Sequence, residues 1–282
     1  MNTQTRIINT KGKSWQHQLL YRIAVSKEFP TRLRLFNMIK GLFRLDLLMF
    51  TTPSGLHLLL DMADWVQYQI YFYGNYEAKS VALFKELSKT ATVIFDIGAH
   101  VGQYALECAH EDKEQTKQIF ALEVNPKTFT YLLNNIQLNG FRKVTPVLGA
   151  VGPAPAIYNI NIPTYWNMGN TQIANDVTST GLDNYLAASF TIPELLNKFA
   201  LQQIDLIKID IEGHELGVFK HLFSLNIYPG NIIFEFIPDV FDQSNDLLLL
   251  LRENNYILKD INGNLYTGQT EIPEQNLWAQ KI

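Results

Sequence analysis

The feature that most constrains the fold is a glycine-spaced turn between an apolar strand and a helix, in the segment 93–104, VIFDIGAHVGQY. Asp96 lies near the end of that strand, and a second apolar segment at 118–123 also ends in a carboxylate, Glu123. Glycine can adopt positive φ and lets the backbone approach a ligand closely. The helix behind such a turn offers unpaired N–H groups and the positive end of its dipole to an anionic group. The pattern predicts a ligand site at the carboxyl edge of a parallel sheet.

The glycine spacing indicates which ligand this edge would hold. A dinucleotide fold uses G-x-G-x-x-G, but here His100 occupies the position of the middle glycine, so a pyrophosphate fits poorly. A carboxylate at the end of the second strand can accept hydrogen bonds from both hydroxyls of a ribose. We therefore predict S-adenosylmethionine as the cofactor, with Glu123 at its ribose. The methionine end is assigned to Asp96 and to the turn residues Gly98, Ala99, His100 and Gly102. A structural strand–turn–helix without a ligand is the alternative.

The chain resembles the FkbM-type methyltransferases over about residues 60–240. The segments that carry the resemblance are, in chain order, QIYFYGNYE, VIFDIGAHVGQYALE, IFALEVNP, IDLIKIDIEGHELGVFKHL and IIFEF. The resemblance implies a class I methyltransferase fold and methyl transfer to an oxygen, often a hydroxyl of a sugar or natural product. It also implies a cofactor-binding role for Glu77, the last residue of the first segment. His100 departs from the family pattern, in which this position more often holds Asn.

Length and composition predict one catalytic domain with an appended segment. We place the boundary between residues 75 and 76, with a helical and hairpin segment at 1–75 and the methyltransferase domain at 76–282. The longest apolar run, 247–251, is far shorter than a membrane span. The first residues lack the apolar core of a signal peptide, and the single cysteine, Cys108, excludes an internal disulfide. These features favour a cytoplasmic location.

Charge is unevenly distributed along the chain. Residues 1–45 hold nine basic side chains and one acidic residue, Glu28, so this segment carries +8. The remainder then carries −12, because the net charge of the chain is −4. The segment could contact an anionic membrane, or it could be a basic helical layer that docks on the acidic body, which we favour. We expect a small-molecule or glycan substrate and no nucleic acid.

The order of apolar, polar and turn segments predicts an α/β architecture. Alternating strands and helices after residue 93 predict a Rossmann-like, seven-stranded sheet with helices on both faces, in which two antiparallel strands follow five parallel ones. Asn262-Gly263 predicts a tight hairpin between strands at 256–260 and 264–266. Residues 152–189 read as an irregular segment, interpreted as a substrate lid because of Tyr158, Tyr165 and Trp166.

Candidate catalytic residues follow the fourth parallel strand, which is predicted at 204–210. Asp210, Glu212 and His214 would lie beside the donor methyl group, where a base could take the proton of a hydroxyl acceptor. Lys208 lies within the strand and should pair with a carboxylate such as Asp210 or Glu235, because an unpaired buried charge is costly. Asp210, Glu212 and Glu235 could also gather a divalent metal, although no spacing demands one, and a metal is not expected.

These observations favour an S-adenosylmethionine-dependent O-methyltransferase that acts on a hydroxyl of a sugar, glycolipid or secondary metabolite. Two alternatives stay open at this point. One is a nicotinamide-dependent oxidoreductase, which the missing middle glycine disfavours. The other is a non-catalytic nucleoside-binding module that works through its basic N-terminal segment.

Overall fold

A computed structural model of the chain describes residues 15–24, 26, 31–163, 171–174, 182–237, 244–268 and 272–282. Its α-helices are α1 (Trp15–Ala24), α2 (Arg32–Phe43), α3 (Trp65–Tyr73), α4 (Ala78–Ser88), α5 (Gln103–Glu111), α6 (Pro126–Asn139), α7 (Ile192–Lys198), α8 (Glu215–Ser224) and α9 (Ser244–Glu253). Its strands are β1 (Leu47–Thr51), β2 (His57–Asp61), β3 (Val93–Ile97), β4 (Gln118–Glu123), β5 (Val144–Leu148), β6 (Ala150–Val151), β7 (Ile157–Pro163), β8 (Gln172–Ala174), β9 (Leu182–Phe190), β10 (Leu206–Ile209), β11 (Asn231–Glu235), β12 (Tyr256–Asp260) and β13 (Asn276–Lys281).

A seven-stranded sheet in the order β12-β13-β11-β10-β3-β4-β5 forms the centre of the molecule. Strands β5, β4, β3, β10 and β11 are parallel to one another, and β13 is antiparallel to both of its neighbours, β11 and β12. The predicted seven-stranded sheet is confirmed, but the prediction of two antiparallel strands is wrong. Because β13 inserts between β12 and β11, β12 runs in the same direction as the five parallel strands. Residues 264–266 add one bridge, Lys259 to Leu265, instead of the predicted strand.

Helices cover both faces of this sheet, as predicted. Alternate residues of each central strand enter different cores: Ile94 packs with α4, α5 and α6, whereas Phe95 packs with α7, α8 and α9. Strands buried on both faces need apolar residues at nearly every position, which explains the continuous apolar runs in the sequence.

A four-stranded sheet, in the order β6-β9-β7-β8, occupies the region predicted to be irregular. Strands β7 and β9 pair antiparallel from Ile157 opposite Ala188 to Pro163 opposite Leu182. In β7, Ile160 and Ile162 are buried and alternate with polar residues, which is the two-residue period of a half-buried strand. The prediction failed because asparagines occupy the outward positions and resemble loop composition. Of the aromatic residues assigned to a lid, Tyr165 and Trp166 lie outside the described residues.

The N-terminal helices α1 and α2 form an antiparallel hairpin against α3. The rings of Trp15 and Phe43 are 5.2 Å apart at one end of the hairpin, and Arg32 donates a hydrogen bond to the Ala24 carbonyl at the other. Phe36 of α2 is fully buried and contacts Phe72 of α3, with 4.6 Å between the ring centroids. One core of buried apolar residues continues from this hairpin to the central sheet. Within the described ranges, no helix is both long and apolar enough to cross a membrane.

Candidate active site

A cavity of about 420 Å³ opens at the carboxyl ends of β3, β4, β10 and β11. Seven of the residues predicted from the sequence line it: Glu77, Gly98, Ala99, His100, Glu123, Asp210 and Glu212. Three others, Asp96, Gly102 and His214, are not among the lining residues. The volume lies in the range of about 300–1,000 Å³ that is typical of small-molecule sites.

The glycine turn lies against the end of β10, a neighbouring strand of the sheet. Gly98 has φ +80°, and a Cβ atom there would lie 2.1 Å from the carbonyl oxygen of Asp210. Only glycine fits this position, because any side chain would collide with the backbone at the end of β10. The amides of Gly98 and Ala99 both donate to the carbonyl of Leu122, at 3.0 and 2.8 Å. These two N–H groups therefore hold the turn to β4.

Glu123 is anchored at the end of β4 by two backbone amides. Its two carboxylate oxygens accept hydrogen bonds from the amides of His100 and Asn125, each at 2.7 Å. The side chain is almost fully buried, and this burial raises the pKa of its carboxyl group. Each oxygen keeps further acceptor capacity toward the cavity.

His100 adopts φ +51°, which is uncommon for a residue other than glycine, and its ring lies beside a buried carboxylate. Its Nε2 atom is 3.5 Å from Oδ1 of Asp64, the N-cap residue of α3. Burial alone lowers the pKa of His100, but the carboxylates of Asp64 and Glu123 outweigh burial, so the net pKa lies above the usual value. The imidazole thus connects the N-terminus of α3 to the cofactor side of the cavity.

Asp96 and Gly102 lie behind the wall of the cavity. Asp96 is fully buried and accepts a hydrogen bond from the amide of Ala105 in the first turn of α5, at 3.0 Å. Burial raises the pKa of Asp96 to about 6. A Cβ atom at Gly102 would lie 2.6 Å from the Leu132 side chain. Both residues fix the position of α5, and their predicted contact with a cofactor stays a prediction.

The opposite side of the cavity is acidic and contains one buried lysine. Lys208 is 3 % exposed, and its Nζ atom donates to Oδ2 of Asp210 at 2.8 Å. The predicted pairing of Lys208 with a carboxylate is confirmed, with Asp210 as the partner. Burial lowers the pKa of Lys208, but Asp210 and Glu77 outweigh it, so the lysine stays charged.

Two further carboxyl groups at this end are held close to other acids. Burial, followed by the neighbouring charges of Asp210 and Glu215, raises the pKa of Glu212 to about 7. Burial and the charges of Asp210 and Glu212 raise the pKa of Glu235 to about 9, so this group is protonated at neutral pH. Within the described part of the chain, the buried Oε2 atom of Glu235 has no hydrogen-bond partner. These carboxyls could exchange protons with a ligand, or accept hydrogen bonds from one.

Glu77 reaches the acidic end from a short connection between α3 and α4. The Tyr104 hydroxyl donates to its carboxylate at 2.6 Å. The Gln103 side chain clamps the preceding residue, Tyr76, by bonding both its amide and its carbonyl. Burial raises the pKa of Glu77. The placement of Glu77 in the cavity therefore depends on contacts with α5.

His214 occupies the N-cap position of α8, and its side chain is exposed. Partial burial of the imidazole lowers its pKa. In the described residues, no group of three or more His, Cys, Asp and Glu side chains is arranged to hold a metal ion.

Sequence reasoning missed the contribution of α3 and of the last turn before β13. Val66 and Ile70 line the cavity one helical turn apart, and Gln275 lines it from the other side. The spacing of the first two residues was visible as helical periodicity, but nothing local indicates which face of α3 meets the cavity.

The order of the sheet strands and the position of the cavity define a class I S-adenosylmethionine-dependent methyltransferase domain. A model of the family described as "Methyltransferase FkbM domain" matches residues 96–258. Since the match covers more than half of the chain, the protein belongs to the FkbM methyltransferase family. The nicotinamide-dependent alternative is therefore wrong.

Several known proteins share parts of this sequence or fold. Over 96 residues, the chain is 31% identical to tRNA (guanine(37)-N(1))-methyltransferase Trm5b of Pyrococcus abyssi, covering 34% of this chain and 26% of that protein. Over 132 residues, it is 30% identical to tRNA(Phe) (4-demethylwyosine(37)-C(7)) aminocarboxypropyltransferase of Methanocaldococcus jannaschii, covering 46% and 47%. The chain thus spans between about a quarter and about half of the length of these relatives.

A solved structure, precorrin-6y C5,15-methyltransferase of Geobacter metallireducens, superimposes with a TM-score of 0.43 at 16% identity, over 72% of this chain and 87% of that one.

The residues of the cavity suit S-adenosylmethionine. Glu123 presents a carboxylate at the end of the second parallel strand, where a ribose is held in nucleotide-binding α/β folds. Glu123 on the cofactor side and Asp210 on the acidic side line the same cavity, and Gly98 lies directly beside Asp210.

Proposed function

We propose that this protein is an S-adenosylmethionine-dependent O-methyltransferase whose acceptor is a hydroxyl of a sugar, glycolipid or secondary metabolite. The observation that carries the proposal is the acidic end of the cavity, where Asp210 and Glu212 lie beside the turn that would hold the cofactor. A hydroxyl acceptor needs a group that takes its proton, and carboxylates serve this purpose when their pKa is near the working pH.

The carboxyl groups that line the cavity have separate tasks in the proposed reaction. Bound S-adenosylmethionine would supply a methyl group on a positively charged sulfur. Glu123 would hold the ribose hydroxyls and so fix the donor. Glu212, with a pKa raised to about 7, would accept the hydroxyl proton as the oxygen takes the methyl group. Asp210, paired with Lys208, would orient the acceptor through its carboxylate.

His214 and Asp96 are assigned lesser roles in this proposal than the sequence suggested. His214 is exposed and does not line the cavity, so we expect its removal to affect turnover less than removal of Glu212. Asp96 would act through the position of α5, to which it is hydrogen-bonded.

The test is turnover with S-adenosylmethionine labelled in its methyl group. Fractionated glycans, lipids and metabolites are screened for label first, and the best acceptor is then used for kinetics. We expect Glu212→Gln and Asp210→Asn to lower kcat by about a hundredfold or more, because general-base catalysis contributes ~10²–10⁴-fold. His214→Ala is the matched comparison from the same segment. Cofactor affinity should change little in all three variants.

The pH profile separates the candidate bases. A carboxyl base must be ionised, so kcat should rise with pH through a value of about 7 in the wild type and lose this step in Glu212→Gln. Loss of the step in His214→Ala alone would assign the base to the histidine. Full activity in both Glu212→Gln and Asp210→Asn would contradict the proposed chemistry. If a chelator abolished activity and Mg²⁺ restored it, a metal ion would activate the hydroxyl instead.

Methylation of tRNA is a second candidate, because the names of the two curated relatives describe tRNA-modifying enzymes. The cavity favours a sugar, glycolipid or metabolite acceptor over tRNA. Five carboxyl groups line it, and those that are ionised would repel the phosphates of an RNA strand. Label transferred to total tRNA, with none in the glycan, lipid and metabolite fractions, would decide for the second candidate.

A further inference from the structure

The outer surface of the α1–α2 hairpin combines exposed apolar side chains with exposed arginines. Trp15, Met38 and Leu42 are 61%, 62% and 72% exposed, and Leu19 and Leu33 are also exposed. Such side chains are scattered singly on most soluble surfaces. Here they lie on two paired helices, with Trp15 packed at the end of α1 that meets the end of α2 carrying Leu42.

The charged side chains within the two helices are all basic. Arg22, Arg34 and Arg44 are exposed, and neither the segment 15–24 nor the segment 31–44 contains an acidic residue. Arg34 shares a helix face with Met38 and Leu42, because these positions are four residues apart along α2. One exposed face of α2 therefore carries both apolar and cationic side chains.

The other face of the hairpin is already used for packing. Phe36 and Ile39 of α2 are buried, and Phe36 contacts Tyr68 and Phe72 of α3. The exposed apolar side chains are thus a second face, which the fold does not cover within the described residues.

We propose that this second face of the α1–α2 hairpin docks the protein on an anionic lipid surface. A helix that lies in a membrane interface presents apolar and aromatic residues to the acyl region and Lys or Arg to the headgroups. Negatively charged headgroups complement the basic side chains of α1 and α2, and the exposed apolar side chains favour a lipid surface over a nucleic acid, whose phosphates would be bound by the arginines. The proposal is independent of the methyl acceptor.

The docking face is close to the cavity in the fold. Helix α3 packs on the hairpin through Tyr68 and Phe72, while its residues Val66 and Ile70 line the cavity. Two helix layers, ~20 Å, would therefore separate the lipid surface from the acceptor site.

Co-sedimentation of the full chain with vesicles tests the proposal. We expect binding to vesicles of mixed phosphatidylglycerol and phosphatidylcholine, weakened by salt, and little binding to phosphatidylcholine alone. Arg34→Gln/Arg44→Gln should weaken binding about twenty-five-fold, because each basic residue near an anionic surface contributes about fivefold. Met38→Ser/Leu42→Ser should weaken it at low and at high salt, since its contribution is apolar.

Matched controls come from the exposed surface of other helices. Leu249→Ser on α9 and Lys220→Gln on α8 remove an exposed apolar and an exposed basic side chain elsewhere and should leave vesicle binding unchanged. Thermal unfolding and affinity for S-adenosylhomocysteine verify that each variant is folded. Because vesicle binding needs no methyl transfer, failure of the proposed reaction would leave this test intact.

Three results would overturn the proposal. The first is vesicle binding that both hairpin variants retain, or that the control variants lose equally. The second is loss of tRNA binding in the arginine variant with vesicle binding unaffected by either variant, which would assign the face to a nucleic acid. The third is a dimer in light scattering that Met38→Ser/Leu42→Ser converts to a monomer without affecting vesicle binding, which would make the face a subunit contact.

Discussion

At the scale of single residues, burial determines which carboxyl groups can carry charge. Asp210 has a buried lysine as its partner, whereas Glu235 lies among other acids and has a raised pKa. Glu123 receives two backbone amides, which offset only part of the desolvation of its charge, so its pKa stays above the usual value. The chemistry available to each carboxyl group therefore follows from its neighbours, and two predictions test this directly.

Glu123→Ala should weaken the binding of S-adenosylhomocysteine at least tenfold. A charge-assisted hydrogen bond contributes ~1.5–3 kcal/mol, and the substitution removes the carboxylate proposed to hold the ribose. Calorimetric titration measures the change, and Glu253→Ala on the exposed side of α9 serves as the control. Unchanged affinity in Glu123→Ala would remove this residue from the cofactor site.

Glu235→Gln should make the ligand-free protein less sensitive to alkaline pH. The folded state holds a proton on Glu235 up to about pH 9, while the unfolded chain releases it near pH 4.3. The contribution of this proton to the free energy of unfolding is therefore complete below about pH 4.3, and it is lost as the pH rises through about 9. Glutamine has no proton to lose, so the variant should gain about 1.4 kcal/mol relative to wild type for each pH unit between these two values.

Urea unfolding of wild type, Glu235→Gln and the exposed control Glu253→Gln at several pH values measures this difference. If wild type and Glu235→Gln lose stability in parallel between the two ends of the window, the raised pKa of Glu235 is wrong.

At the scale of elements, some helix ends are fixed by neighbouring residues and others by residues far away in the chain. Helix α6 begins with Asn125, whose side chain accepts from the amide of Lys127, and ends at Gly140 with φ +68°, as its sequence predicts. Helix α4 instead begins after Glu77, which makes no side-chain cap. Its first amides are capped by Glu274, almost two hundred positions further along the chain.

Glu274→Ala should therefore destabilise the protein through the start of α4. The Glu274 carboxylate accepts hydrogen bonds from the amides of Lys79 and Ser80 and from the Ser80 hydroxyl. Loss of a helix cap costs ~0.5–2 kcal/mol, and the favourable interaction with the helix dipole is lost with it. Chemical denaturation compares this variant with Glu274→Gln, which keeps an acceptor and should lose less. Equal stability of wild type and both variants would show that α4 does not need this cap.

At the scale of the whole molecule, the N-terminal hairpin and the catalytic sheet share one core. Buried residues from Leu20 of α1 to Ile233 of β11 belong to the same cluster, and α3 lies between the hairpin and the cavity. The favoured reading of the basic segment as a docked layer agrees with this packing for residues 15–24 and 31–45. The predicted boundary between residues 75 and 76 stays a prediction, but truncation there would expose much of this core.

Phe36→Ala should lower the free energy of unfolding by ~3–5 kcal/mol, because it removes a fully buried aromatic ring that packs against α3. Leu42→Ala on the same helix is the matched control and should change stability by less than about 0.5 kcal/mol, since its side chain is 72% exposed. Denaturant unfolding monitored by fluorescence measures both. A small effect of Phe36→Ala would mean that the hairpin is not part of the cooperative core.

The sequence by itself determined the strands of the central sheet, the glycine turn and the family of this protein, because those signals are local. A continuous apolar run indicates a strand that is buried on both faces of a sheet. Glycine is required at position 98 because the ends of two strands approach closely there. Tertiary structure decided which carboxyl groups meet: it brought Glu77 and Glu235 to Asp210, and it left His214 on the surface. No local pattern encodes these distances, because they depend on how segments far apart in the chain pack around two cores.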